Sequence, residues 1–181
     1  MKIALLYDFD KTLSYKDMQE YGFFDDLNIE DSKSFWGHVK AKAEREEMDH
    51  ILTYLHEMIV QTQLRGIKLS KEMLGKYGSQ IEFYPGVIDW FKHINTVAQS
   101  LDIELEHYII SSGLKEIIEH TPIASYFKKI YACEYLYDEK GQAIWPKLSV
   151  NYTIKTQFLY RINKGILDIH NDSDLNRYQK E

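Results

Sequence analysis

Residues 3–14 read IALLYDFDKTLS, a short apolar run that meets two acids almost at the start of the chain. Ile3 to Tyr7 suits a strand buried on both faces of a sheet. Asp8 and Asp10 then stand one residue apart at its end, with Phe9 between them. On a continuing strand, acids spaced i, i+2 project to the same side. If the backbone turns after Asp8, they can diverge toward different partners. A polar turn would use such residues for capping; a reaction centre would use them for chemistry.

The texture changes after Ser14. From about Asp17 to Tyr77 the chain is charged and free of proline. Trp36, Val39, Ala43, Met48, Ile51, Leu55, Met58 and Ile59 approximate the i, i+3/i+4 stripe of helices that need a partner surface. Residues 15–80 therefore read as a helical lobe, the alternative being helices laid on the sheet itself. FYPGVIDWFKHI, residues 83–94, restarts the main domain with a Pro85-Gly86 turn and a helical face. EHYIIS, from Glu106, is a second strand that ends at Ser111-Ser112-Gly113 and leads into a helix, LKEIIEH. KKIYACEYLY is a third strand, and residues 138–141 turn into a β excursion ending near Pro146. TIKTQFLYRINKG is a helix that Gly165 can stop.

Strands alternating with helices imply an α/β domain with a mainly parallel sheet. In such sheets the ligand site lies beyond the carboxyl ends of the strands. Asp8, Asp10 and Ser111 all sit at such ends, so residues distant in sequence can converge.

Charge narrows the classes of partner. A net charge of −6, with no basic run longer than two residues, argues against nucleic-acid and membrane-surface binding. The one cysteine, Cys133, rules out an internal disulfide and fits a reducing, cytoplasmic setting; it reads as a buried strand residue. No leader or spanning segment is expected, since the apolar start is too short. The histidines show no HExxH-like spacing, which makes a zinc site an unlikely reading.

A carboxylate can attack phosphorus and form an acyl phosphate if the electrophile's charge is neutralised. A second acid can protonate the departing alkoxide and later activate water. Asp8 and Asp10 suit these two roles. Mg²⁺ suits them too, because it prefers oxygen ligands and commonly joins one or two carboxylates to a phosphate. The expected metal-holding residues are thus Asp8 and Asp10.

DFDKTLS resembles the DxDxT signature of haloacid-dehalogenase (HAD) type phosphohydrolases, and the helical insert after it resembles the cap of their phosphoserine-phosphatase-like branch. Ser111 in YIISSG is similar to the family's second motif, which implies that its hydroxyl and the following amides, at Ser112 and Gly113, hold the transferring phosphoryl group. Lys155 resembles the third motif, a lysine that balances phosphate and nucleophile charge. FYPGVIDWFKHI resembles the segment that re-enters the core after a cap. The resemblance runs in order from Met1 to about Gly165. It implies a Rossmann-like, mainly parallel sheet flanked by helices, with residues 1–14 and 81–181 as core and 15–80 as an inserted helical cap.

The expected activity is Mg²⁺-dependent hydrolysis of a small phosphorylated metabolite through an aspartyl-phosphate at Asp8. Asp10 favours phosphatase over dehalogenase, because a halide leaves without an acid. Tyr15, Asp17 and Gln19 are candidates for touching the substrate. The rival expectation is a HAD-fold protein that binds without turnover. It arises because the family's fourth motif, a strand ending in further acids, has no clear match in ILDIHNDSDLNRYQKE after Gly165. The core is therefore expected to be incomplete at its C-terminus unless Asp172 or Asp174 supplies metal ligands. An open edge on the first strand would then invite a homodimer.

Overall fold

The computed structural model describes residues 1–177. Strand β1, Lys2–Tyr7, is followed by a 3₁₀ turn at Met18–Tyr21 and four helices. These are α1 (Phe23–Asp26), α2 (Ser32–Glu46), α3 (His50–Leu64) and α4 (Lys71–Gly78). Helix α5 (Val87–Ser100) leads to β2 (Glu104–Leu114), the short α6 (Lys115–Ile118) and β3 (Phe127–Tyr137). Then come β4 (Ala143–Leu148), α7 (Tyr152–Asn163) and the one-turn α8 (Asp172–Leu175).

The sheet order is β1-β2-β3-β4, with the first three strands parallel and β4 antiparallel to β3. It is a mainly parallel α/β sheet flanked by helices, the expected class. Tyr7 lies opposite Ile109. That register carries Asp8 out of β1 beside the segment of β2 that reaches Ser111.

Between Ser14 and Phe83 the chain is helical, and those two residues form an isolated β-bridge. The Tyr84 N–H donates to Leu13 O, and the Tyr15 N–H to Glu82 O. The helical segment thus leaves and returns through one neck beside the end of β1. Asp31, Asp49 and Ser70 cap α2, α3 and α4 with side-chain acceptors. Lys42 on α2 reaches the buried Glu57 on α3 at 2.5 Å. Leu55 and Met58 of α3 share a continuous buried cluster with Ile109, Leu114 and Cys133 of the sheet.

Helix α4 meets α6 closely because Gly75 and Gly78 carry no side chain. A Cβ on Gly78 would lie 2.4 Å from the Ile117 carbonyl oxygen and 2.8 Å from His120 Cβ. A main-chain oxygen cannot swing aside, so Gly78→Ala should destabilise by about 1–3 kcal/mol, as overpacking does. Gly37 in α2 meets nothing within 4 Å, and Gly37→Ala should stabilise by roughly 0.5–1 kcal/mol. Denaturation midpoints moving in opposite directions would bear out this contrast; a Gly78→Ala midpoint at or above the parent's would refute it.

Four expectations need correction. First, β1 is half-buried, with Leu6 37% exposed, rather than covered on both faces. Among the described residues it pairs only with β2, so it lies at the sheet edge. Such an edge can pair with another chain. Sedimentation velocity should show dimers growing with concentration, and Leu6→Lys should suppress them; a monomer at all concentrations would count against edge pairing.

Second, LKEIIEH forms only one helical turn, because β2 continues through Leu114. Pro122 then disfavours helix at the residue before it. Third, β4 passes through Pro146, which an outer strand tolerates, rather than ending there. Fourth, α7 begins at Tyr152, ahead of the expected TIKTQFLYRINKG, because the Asn151 side chain accepts from the Ile154 N–H and caps it. Gly165 does stop the helix region, at φ 69°. Beyond it the described residues, to 177, fold back and form no strand. Tyr131 Oη donates to Leu167 O, and the fully buried Arg161 donates to Asp168 O and to Asp172. Residues 178–181 of the expected core lie outside the described residues.

Candidate active site

The turn after β1 is built on one carbonyl. Phe9 O accepts from the N–H groups of Thr12, Leu13 and Ser14, and Lys11 takes a left-handed φ of 57°. Phe9 itself is fully buried, which anchors the loop while its neighbours face a cavity of about 210 Å³. The cavity is bounded by Asp8, Asp10, Ser111, Ser112 and Lys155, brought together from β1, β2 and α7. From the helical segment come Asp17, Gln19, Trp36, Ile51 and Tyr54.

The two acids diverge as a turning backbone allows. Asp8 Oδ2 lies 2.9 Å from Lys155 Nζ, and its Oδ1 accepts the Phe9 N–H. Asp10 Oδ1 instead accepts the Met18 N–H at 2.9 Å. Burial of the Asp10 carboxyl, with the nearby charges of Asp17 and Asp8, pushes its pKa up to about 8. The Met18 N–H and Lys11 only partly oppose that rise. At neutral pH Asp10 therefore keeps its proton while half-exposed Asp8 pairs with a cation, an arrangement that separates an acid from a nucleophile.

Ser111 is 1% exposed, and its Oγ accepts the Gly113 N–H at 2.9 Å. Ser112 donates its hydroxyl to Val150 O at 2.7 Å, and its own carbonyl accepts from Tyr54 Oη at 2.5 Å. Ser111 and Ser112 line the cavity. Of the groups expected to cradle a phosphate, the Gly113 amide is held by Ser111 Oγ. Gly113 works by being small: a Cβ there would sit 2.1 Å from Met18 Cε and 2.9 Å from Asp10 Oδ2.

Lys155 lies in the first turn of α7, where the macrodipole disfavours a cation. Asp8 offsets that cost. Asp17 and Gln19 line the cavity, with Asp17 bonded to Lys11 at 2.6 Å. Tyr15 packs on Tyr84 and is not among the lining residues.

Trp36, Ile51, Tyr54 and Met18 enter the site without any local signature. Trp36 and Ile51 belong to the apolar stripe, whose period gives no sign that two members face a cavity. Asp172 and Asp174 are elsewhere, held by Arg161 and by Asn171 and Arg177. Cys133 is buried, its thiol pushed up to about 11 by that burial, and it fastens Ser112 O and the Val150 N–H.

Mg²⁺ fits the donor set in kind: oxygen ligands from Asp8 and Asp10, beside space for a phosphate. Among the described residues, no group of three or more acidic, histidine or cysteine side chains is placed to hold a metal. Substrate and water oxygens would have to complete the coordination. No helix among the described residues is long and apolar enough to cross a membrane.

No protein-family model matches the sequence. An uncharacterized protein of Borreliella burgdorferi is 32% identical over 193 residues, covering 90% of this chain and 65% of that protein. Among solved structures, a HAD family hydrolase from Salmonella enterica serovar Typhi superposes with a TM-score of 0.63 at 15% identity. It covers 91% of this chain and 52% of its own. A substrate-bound phosphoserine phosphatase gives 0.63 at 14% identity over 91% of this chain and 71% of its own. A phospho-aspartyl intermediate analogue of phosphoserine phosphatase gives 0.60 at 15%, over 90% and 71%.

The fold is thus that of the HAD-type hydrolases. Within them it is phosphoserine-phosphatase-like. The chain spans 65% of its sequence relative and about half of the Salmonella hydrolase.

Proposed function

We propose that this chain hydrolyses phosphomonoesters through an aspartyl-phosphate at Asp8, with Mg²⁺ as cofactor. The observation that carries the reading is the Asp8–Lys155 pair at 2.9 Å, beside a buried Asp10 whose pKa is pushed up to about 8. The fold likeness to a phosphatase studied as a phospho-aspartyl intermediate analogue supports the same chemistry.

Asp8 Oδ attacks phosphorus and the ester P–O bond breaks. Asp10 gives its proton to the departing alkoxide, so the alcohol leaves neutral. Asp10, now a carboxylate, takes a proton from the water that attacks the aspartyl-phosphate, which releases phosphate and restores both acids. Lys155 balances the charge on Asp8 and on the phosphoryl oxygens, and Ser111 offers its hydroxyl at the β2 end. Bound Mg²⁺, held by Asp8 and Asp10, would neutralise phosphate charge. A carboxyl that keeps its proton is a poor metal ligand, so Asp10 would hold the ion once that proton has gone.

Incubation with a radiolabelled phosphomonoester and Mg²⁺, followed by acid quench, should leave hydroxylamine-labile phosphate on Asp8, with free phosphate released before the quench. Release without label on Asp8 would sink the covalent route. A site with no third acid placed for a metal among the described residues favours a second reading, ligand binding without turnover. Ester binding with neither label nor release would select it.

A further inference from the structure

Resting on the phosphomonoesterase reading above, we infer that the cavity is built for an uncharged, hydroxyl-bearing leaving group and disfavours esters that carry a carboxylate. The argument begins with charge. Among the residues lining the cavity, Lys155 is the single basic one. The Lys155 ammonium is already 2.9 Å from Asp8. Lys11, beside the same loop, is bonded to Asp17 at 2.6 Å. A carboxylate on the leaving group would find no uncommitted cation lining the cavity among the described residues. A charge taken from water without a partner is costly, whereas an uncharged hydroxyl needs only a hydrogen bond.

The remaining wall offers neutral recognition instead. Gln19 is 2% exposed, and its Oε1 has no hydrogen-bond partner; the buried Nε1 of Trp36 likewise has none. Buried polar atoms are ordinarily paired. An amide oxygen only accepts and an indole N–H only donates, whereas a hydroxyl does both. Both residues line the cavity, and these two unpaired atoms match hydroxyls on a small alcohol, with Ile51 and Tyr54 lining the same space. At about 210 Å³ the space falls below the roughly 300–1,000 Å³ of pockets for drug-sized ligands. The leaving group is therefore small.

The test compares sn-glycerol 3-phosphate with O-phosphoserine, in the presence of Mg²⁺, with p-nitrophenyl phosphate reporting on the chemistry itself. kcat/KM should favour the glycerol ester by about tenfold or more, the discrimination expected of a mismatched polar group. Trp36→Phe and Gln19→Met should each shrink that ratio severalfold. Phosphoserine handled as well as the glycerol ester, or a ratio unmoved by both variants, overturns the inference. If even p-nitrophenyl phosphate is not hydrolysed, the phosphatase reading fails, and titration calorimetry of the two esters into the same protein decides the inference separately. Tighter binding of the glycerol ester by about tenfold supports it; equal binding, the reverse order, or no binding of either ester overturns it.

Discussion

Asp8→Asn is expected to reduce phosphate release by about three orders of magnitude or more, the scale of losing a catalytic nucleophile. The swap keeps the side-chain shape and the acceptor that holds the Phe9 N–H. It removes the negative oxygen that would attack phosphorus and that now faces Lys155. The Asp8 side chain is 44% exposed, so losing its ion pair should cost at most about 1 kcal/mol of stability. Phosphate release and denaturation midpoint should therefore separate, the first collapsing while the second barely moves. A variant that still hydrolyses at the parental rate would exclude Asp8 as nucleophile. One that unfolds would point to a structural role for the Asp8–Lys155 pair.

The backbone path to that residue was largely legible in the sequence. An apolar run ending in acids and a second strand carrying Ser111 near its carboxyl end are enough to place polar residues side by side once the strands are parallel. Tyr7 opposite Ile109 is the register that does it. What the sequence hid was of two kinds. The helical segment's contribution depends on tertiary packing: Trp36, Ile51 and Tyr54 look like ordinary members of amphipathic helices, and only the neck at Ser14–Phe83 brings them over Asp8 and Asp10.

The second kind is local geometry finer than a motif. The Ser112 hydroxyl bonds Val150 O, tying the end of β2 to the segment before α7. A hydrogen bond to a main chain that arrives almost 40 residues later cannot be read from neighbouring letters. The exposure of β1 has a similar origin. Its composition suits a central strand, but a strand's burial depends on what lies beside it, and β2 is its one partner among the described residues.

Asp10→Asn tests the other half of the chemistry. For an alkyl phosphate, losing the acid should cost about 10²–10⁴ in kcat/KM. For p-nitrophenyl phosphate, whose leaving group needs little protonation, the loss should be much smaller. The pH dependence should differ as well. Burial pushes the Asp10 pKa from 3.8 up to about 8, so the parent's rate on an alkyl ester should fall as pH rises through about 8 and the acid loses its proton. The variant should lack that limb. Stability should change in a linked way. The folded chain holds a proton at Asp10 that the unfolded chain has released, so this group lowers the parent's stability as pH climbs from about 4 to about 8. Asparagine carries no such penalty and keeps an oxygen for the Met18 N–H. The variant's denaturation midpoint should therefore gain on the parent's across that window, while its alkyl phosphatase activity is lost. Equal losses on the two esters, with a midpoint difference that does not vary with pH, would show that Asp10 neither retains a proton nor delivers one.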